Sequence, residues 1–275
     1  MFPAFLLALR EGMEIALIIG IVLSALRKTN RKELSSTVWG GVVVAAVLSV
    51  ALALVLTRLG TSLEGRAEQI FEGLMMMTAA VVLTWMIFWM QNQSHVIKDG
   101  LETNVRRAVG KTGTWALFSI AFVAVFREGV ELALFLSATA MASAPGATLL
   151  GAVLGLGAAV LIGWAFFTTT IRMNVHMFFQ VTSILLVLFA AGLVAHGVHE
   201  LNEAGWIPVI VEHVWDTNYL VNEDSTSGTL LSTLFGYNGN PSLSEVLAYT
   251  TYIAVVIFAL WRRNQPSAAT LQQIE

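Results

Sequence analysis

Seven predominantly apolar runs, each about 20 residues long, partition this chain at 2–26, 38–57, 70–90, 115–140, 149–171, 177–195 and 246–261. A helix of that length crosses the hydrocarbon core of a bilayer. The expected fold is therefore all-α: a polytopic membrane protein with seven transmembrane helices. Composition agrees, with 56% hydrophobic and 12% charged residues among 275. No basic residue precedes the first run, which meets Arg10-Glu11 before it is half complete. It is expected to stay as a membrane helix rather than be removed as a secretory signal. The chain has no cysteine, which excludes disulfides, thiolate metal sites and cysteine nucleophiles.

Basic residues fall unevenly between the runs. Arg27, Lys28, Arg31, Lys32, Lys98, Arg106, Arg107, Lys111, Arg172, Arg262 and Arg263 share one side, and only Arg58 and Arg66 lie on the other. By the positive-inside rule the amino terminus is expected outside and the carboxyl terminus in the cytoplasm, with the protein in the cytoplasmic (inner) membrane.

Inside two of these runs sits the same motif: Arg10-Glu11-Gly12-Met13-Glu14, and 117 residues later Arg127-Glu128-Gly129-Val130-Glu131. The copies lie in the first and fourth spans, an odd step of three, so their helices are expected to run antiparallel. Weaker echoes extend the repeat, Trp39-Gly40-Gly41 opening span two as Gly151 does span five, and Phe71-Glu72 resembling Phe179-Gln180. The pattern predicts an inverted repeat of three plus three helices with a seventh outside it. Repeat one covers about 1–92 and repeat two about 114–201, followed by an outer loop at 202–245, the seventh helix at 246–263 and a tail at 264–275.

An ionisable side chain at the centre of a membrane helix costs about 2.5–3.5 kcal/mol on insertion scales. Six of them in two motifs point to a transported cation. Glu11 and Glu14 are one turn apart, as are Glu128 and Glu131, and each Arg pairs in register with the second Glu of its motif. Gly12 and Gly129 are expected to let the two motif helices approach closely enough for four carboxylates to converge. Four carboxylates and two arginines carry a formal charge of −2, which a desolvated cavity holds only with protons or a multivalent cation. Carboxylates are hard ligands and favour a hard or borderline ion. Helix locking by Arg-Glu pairs is the bland alternative, and it is a poor stabiliser compared with apolar packing.

The duplicated Arg-Glu-Gly-x-Glu motif resembles the oxidase-dependent iron transporter family of fungal high-affinity iron permeases and bacterial EfeU-type permeases. The likeness covers nearly the whole chain, and Phe71-Glu72-Gly73, Leu83-Thr84-Trp85-Met86, Phe88-Trp89-Met90, His199-Glu200, Glu203-Ala204-Gly205 and Phe235-Gly236-Tyr237 look like the bacterial branch. The resemblance implies iron import, with Glu11, Glu14, Glu128 and Glu131 as ligands and Arg10, Gly12, Arg127 and Gly129 organising the site. It implies no permanent cofactor, iron being the substrate, and separate extracytoplasmic iron-oxidising or iron-delivering partners. No nucleic-acid partner is expected.

Glu68 and Glu72 at the start of span three, and His196, His199, Glu200 and Glu203 at the end of span six, form a possible access path; solvated helix ends explain them equally well. The segment 202–245 carries Glu203, Glu212, Asp216, Glu223, Asp224 and Glu245 without Lys or Arg, a field that would concentrate cations or simply a polar connector. Met75-Met76-Met77 reads as packing, since consecutive residues point different ways on a helix. A permease or proton-linked exchanger for another divalent cation stays open on the residues alone. So does an intramembrane hydrolase, although His199-Glu200-Leu201-Asn202-Glu203 lacks the second histidine of a zincin. Ferric and ferrous substrates are likewise both open.

Overall fold

The computed structural model describes residues 1–93, 113–142, 144–168, 175–209, 211–222, 225, 228, 231–232 and 235–264. The expected basic positions Lys98, Arg106, Arg107, Lys111 and Arg172 lie outside the described residues, as do Glu223, Asp224 and the tail beyond Asn264.

Among the described residues there are seven long helices and one short 3-10 turn, and no strand. They are α1 (Phe2–Lys28), α2 (Ser35–Ser62), α3 (Arg66–Gln93), α4 (Gly113–Ala142), α5 (Pro145–Thr168), α6 (Val175–Glu203) and α7 (Leu243–Asn264). Six of them contain an apolar run whole, and α5 holds 149–168 of the run expected at 149–171, whose last three residues lie outside the described ones. Five of them, α2, α3, α5, α6 and α7, are long and apolar enough to cross a membrane. The remaining two, α1 and α4, have 27 and 30 residues and carry the charged motifs, which lower their apolarity where a span would be centred.

Local chemistry sets the boundaries. Pro3 stands in the first turn of α1, where its missing N–H loses nothing, and Arg27 and Lys28 occupy the last turn, where cations suit the helix dipole. At the end of α6, Gly205 adopts φ +69° while Trp206 N–H donates to Leu201 O and Gly205 N–H to Asn202 O, a Schellman closure that glycine makes without steric cost. Ser242 and Glu245 start α7 as a capping box: Glu245 N–H meets Ser242 Oγ at 3.3 Å and Ser242 N–H meets Glu245 Oε1 at 3.3 Å.

Packing divides the helices into partnerships: α1 lies chiefly on α5, α2 on α4, and α3 on α6, with α7 against α6. A hydroxyl pair, Thr84 and Tyr252 at 2.7 Å, also ties α7 to α3. The start of α1 (Leu6, Leu7) shares a buried cluster with Phe135 and Ala138 late in α4, together with Met76, Leu83, Leu186 and Phe189. The end of α1 (Val22, Ala25, Leu26) shares another with Leu117 and Ala121 early in α4. Met76 is core, as its neighbourhood in sequence suggests.

Small residues bring the partners together in matching ways. A Cβ on Gly41 of α2 would crowd Phe118 O and Phe122 N of α4; one on Gly151 of α5 would crowd Met1 O and Phe5 N of α1. Met1 and Phe5 precede Phe118 and Phe122 by the same 117 residues that separate the motifs. Gly12 and Gly129 correct an expectation. Gly12 packs against Ala159 and Leu156 of α5, and Gly129 against Ser49 of α2, rather than the two glycines facing each other. The reason is angular: at 100° per residue, a glycine one step past Glu11 or Glu128 is turned well away from both glutamates of its motif. The glycines seat the backs of the motif helices while the carboxylates face the other way.

A Cβ on Gly12 would stand 2.6 Å from Ala159 Cβ, so Gly12→Val should force α1 from α5 at a cost of about 1–3 kcal/mol, the usual range for overpacking. Thermal unfolding of the purified variant measures this, and an unchanged midpoint would contradict the seating role.

Candidate metal site

Both motifs are buried where α1 and α4 face each other. Arg10 and Glu11 are fully buried, and Glu128 and Glu131 are nearly so. One carboxylate oxygen from each of Glu11, Glu128 and Glu131 lies within 4.8 Å of the others, the one such convergence of three or more metal-ligating groups among the described residues. Both oxygens of Glu11 lack a hydrogen-bond partner, as does one oxygen each of Glu128 and Glu131. Buried carboxylate oxygens left unpaired are costly, and convergence of three such groups is the geometry that a hard cation satisfies.

Two arginines hold the rim of this cluster differently. Arg127 Nε donates to Glu131 Oε1 at 3.1 Å and lies 3.7 Å from Glu128 Oε1, while its guanidinium stacks over the Trp89 ring at 4.2 Å. Arg10 Nε is 3.5 Å from Glu14 Oε1, and its Nη2 donates to Met90 Sδ at 3.1 Å. Glu14, 12% exposed at its side chain, is thus held by Arg10 and stands apart from the three converging carboxylates. Arg127 is 36% exposed at its side chain and Arg10 0%. Trp89 and Met90, adjacent on α3, carry no role that sequence reasoning assigned; only the tertiary fold reveals that they support opposite arginines.

The residues of the expected access path are brought close without forming a second convergence among the described residues. Gln69 Nε2 donates to Glu203 Oε2 at 2.9 Å, joining α3 to α6, and Glu72 lies within electrostatic reach of Glu68 and Glu200. His196 Nδ1 is 3.0 Å from Gly192 O on its own helix. His199 is engaged at both ring nitrogens, Nε2 at 3.3 Å from Glu203 Oε1 and Nδ1 at 3.0 Å from Glu245 Oε1. Glu245 also accepts from Asn238 Nδ2 at 2.8 Å and Ser242 Oγ at 2.8 Å. The sequence shows Glu245 only as one acid in a polar segment; its capping-box spacing to Ser242 is the signal that marks it as structural.

An all-helical chain with five helices of bilayer length and apolarity is a membrane protein. This one belongs to the Iron permease FTR1 family, which matches residues 1–262. It is 38% identical to the ferrous iron permease EfeU of Shigella sonnei (strain Ss046) over 98% of this chain and 99% of the relative. The same figures hold for the ferrous iron permease EfeU of Escherichia coli O157:H7. To that of Yersinia pestis it is 35% identical, over 98% of this chain and 97% of the relative. These relatives are named as permeases, which are transporters, and they support iron import. No solved structure matches the chain.

Proposed function

We propose that this chain imports iron across the cytoplasmic membrane as a seven-span permease, the ion passing between the two Arg-Glu-Gly-x-Glu motifs. The observation that carries the reading is the buried convergence of Glu11, Glu128 and Glu131 in a member of the iron permease family. With relatives named ferrous iron permeases, Fe(II) is the form assigned to the substrate. Helices α1 and α4 complete the seven spans, their 27 and 30 residues reaching about 40 and 45 Å at 1.5 Å per residue.

Several contacts support the inverted repeat over about 1–92 and 114–201. Opposite ends of α1 and α4 share the two buried clusters, as antiparallel helices would. Exchange of α1 with α4 and of α2 with α5 turns the α1-α5 partnership into α4-α2, and it carries Gly151 against Met1 and Phe5 onto Gly41 against Phe118 and Phe122. Ala159 behind Gly12 is carried onto Ser49 behind Gly129, the same 110-residue step that relates Gly41 to Gly151. The amino terminus lies outside in this reading. Glu68, Glu72, His196, His199, Glu200 and Glu203 line the outer approach, and separate extracytoplasmic proteins deliver the iron, an oxidising partner being the alternative if Fe(III) is the form carried.

Purified protein in liposomes tests this, with Fe(II) under anaerobic conditions compared with Fe(III), Mn(II) and Zn(II) at fixed pH. Fe(II) uptake is expected. If its charge moves uncompensated, uptake rises with inside-negative voltage, which supplies about 2.3 kcal/mol per charge per 100 mV. Transport of Zn(II) or Mn(II) without Fe(II) would overturn the assignment.

A further inference from the structure

The two motifs match in sequence and in the contacts behind them, but the site between them is lopsided. Each motif's second glutamate is paired with its own arginine, Glu131 with Arg127 and Glu14 with Arg10, yet only Glu131 converges with Glu11 and Glu128. We propose that Glu14 forms a second metal position together with Glu11 and Glu128, and that the ion is handed over from Glu131 to Glu14 during import. This rests on the import reading and the orientation given above.

Shifting by the repeat exchanges Glu11 with Glu128 and Glu131 with Glu14. The image of the converging trio is therefore Glu128, Glu11 and Glu14, an identical donor set. Its backing is equivalent as well, because Gly12 seats on Ala159 as Gly129 seats on Ser49. A chain whose two halves can take each other's arrangement has two site geometries of comparable energy, and inverted-repeat transporters alternate by moving one half against the other around a fixed site. Glu11 supplies an independent pointer to a ligand: it is completely buried and neither of its oxygens has a hydrogen-bond partner. It is common to both trios. The Glu14 oxygen that faces Arg10 Nε, Oε1 at 3.5 Å, is buried and accepts no hydrogen bond, so the pairing is loose enough to release Glu14 to an ion.

Direction follows from helix polarity. Glu131 is three residues beyond Glu128 on outward-running α4, and Glu14 is three beyond Glu11 on inward-running α1. The two displacements are about 4.5 Å each and point oppositely, Glu131 toward the outside and Glu14 toward the cytoplasm. Keeping Glu11 and Glu128 while exchanging the third ligand moves the ion inward. The arginines follow the exchange: Arg127, now bonded to Glu131, neutralises it once the ion has left, and Arg10 yields Glu14.

Equilibrium binding of Fe(II) to the purified, anaerobic protein, measured beside uptake in liposomes at matched insertion, separates the two positions. Glu131→Gln should weaken binding at least about tenfold, the lower end of what disturbing a metal's ligand environment costs. Glu14→Gln should bind within about threefold of the unmodified chain yet lose at least about tenfold in uptake, since the ion enters the first position and cannot reach the second. Glu131→Asp and Glu14→Asp, which keep the charge and shorten the reach, should show the same ordering if either glutamine variant folds poorly. Equal weakening of binding by both substitutions would overturn the handover in favour of one four-carboxylate site, and unimpaired uptake by Glu14→Gln would overturn it too. Undiminished binding by Glu11→Gln and Glu128→Gln would instead place iron elsewhere and sink the import site itself.

Discussion

Fe(II) uptake is expected to fall at least roughly a hundredfold when Glu11 and Glu128 are both replaced by Gln, because loss of even a supporting partner around a metal costs 10–100-fold and these two carboxylates belong to both proposed positions. The substitutions keep side-chain size and remove two buried carboxyl groups that have no hydrogen-bonded cation; Arg10 retains Glu14 and Arg127 retains Glu131. Folding should therefore be unimpaired, with an unfolding midpoint at or above that of the unmodified chain. Uptake in liposomes of matched protein content measures the first quantity and thermal unfolding the second. Full uptake by a well-folded double variant would remove the carboxylates from the transport path.

Arg10→Ala should be the most damaging single change to stability. Its guanidinium is fully buried, touching Glu14 on one side and Met90 Sδ on the other, and its loss leaves Glu14 buried without a counter-charge. Breaking a buried pair from one side costs about 3–5 kcal/mol. Arg10→Lys keeps the charge but loses the planar fork, so an intermediate cost is expected. Arg127→Ala should cost less. Its side chain is 36% exposed, water screens its ion pairs, and its stacking on Trp89 is worth about 0.5–1 kcal/mol at such a site. Unfolding midpoints of the three variants, taken with the same detergent and no metal, give the order directly. A larger drop for Arg127→Ala would contradict the burial argument.

Much of this architecture is legible in the sequence because a bilayer imposes a length. Runs such as 38–57 and 70–90 lie inside α2 and α3, and the structure adds mainly their polar ends. The stacking of Glu128 with Glu131 and the pairing of Glu131 with Arg127 are equally readable, since spacings of three and four put them on one face. What periodicity cannot supply is the identity of the facing helix. Gly12 and Gly129 are recognisable as close-contact residues, but a single helix does not say whether α4 or α5 lies behind Gly12. Trp89 and Met90 look like ordinary apolar residues near the end of a span, and their arginine partners lie 38 and 80 residues away in the chain. The His199-Glu245 pair joins residues 46 apart, and only the folding back of the segment between α6 and α7 brings Glu245 to it.

The seating of Gly12 on Ala159 and of Gly129 on Ser49 also limits how such a chain can drift. A pentapeptide that reads as one signature serves two masters at different angles, its acids turned to the opposite motif and its glycine to a helix elsewhere in the sequence. Mutational tolerance at residue 12 is then written at residue 159, and that at residue 129 at residue 49. Enlarging either glycine would first require a shrinking of its distant neighbour, so variation at these positions should come in coupled steps, while neither member of such a pair ever meets the cargo.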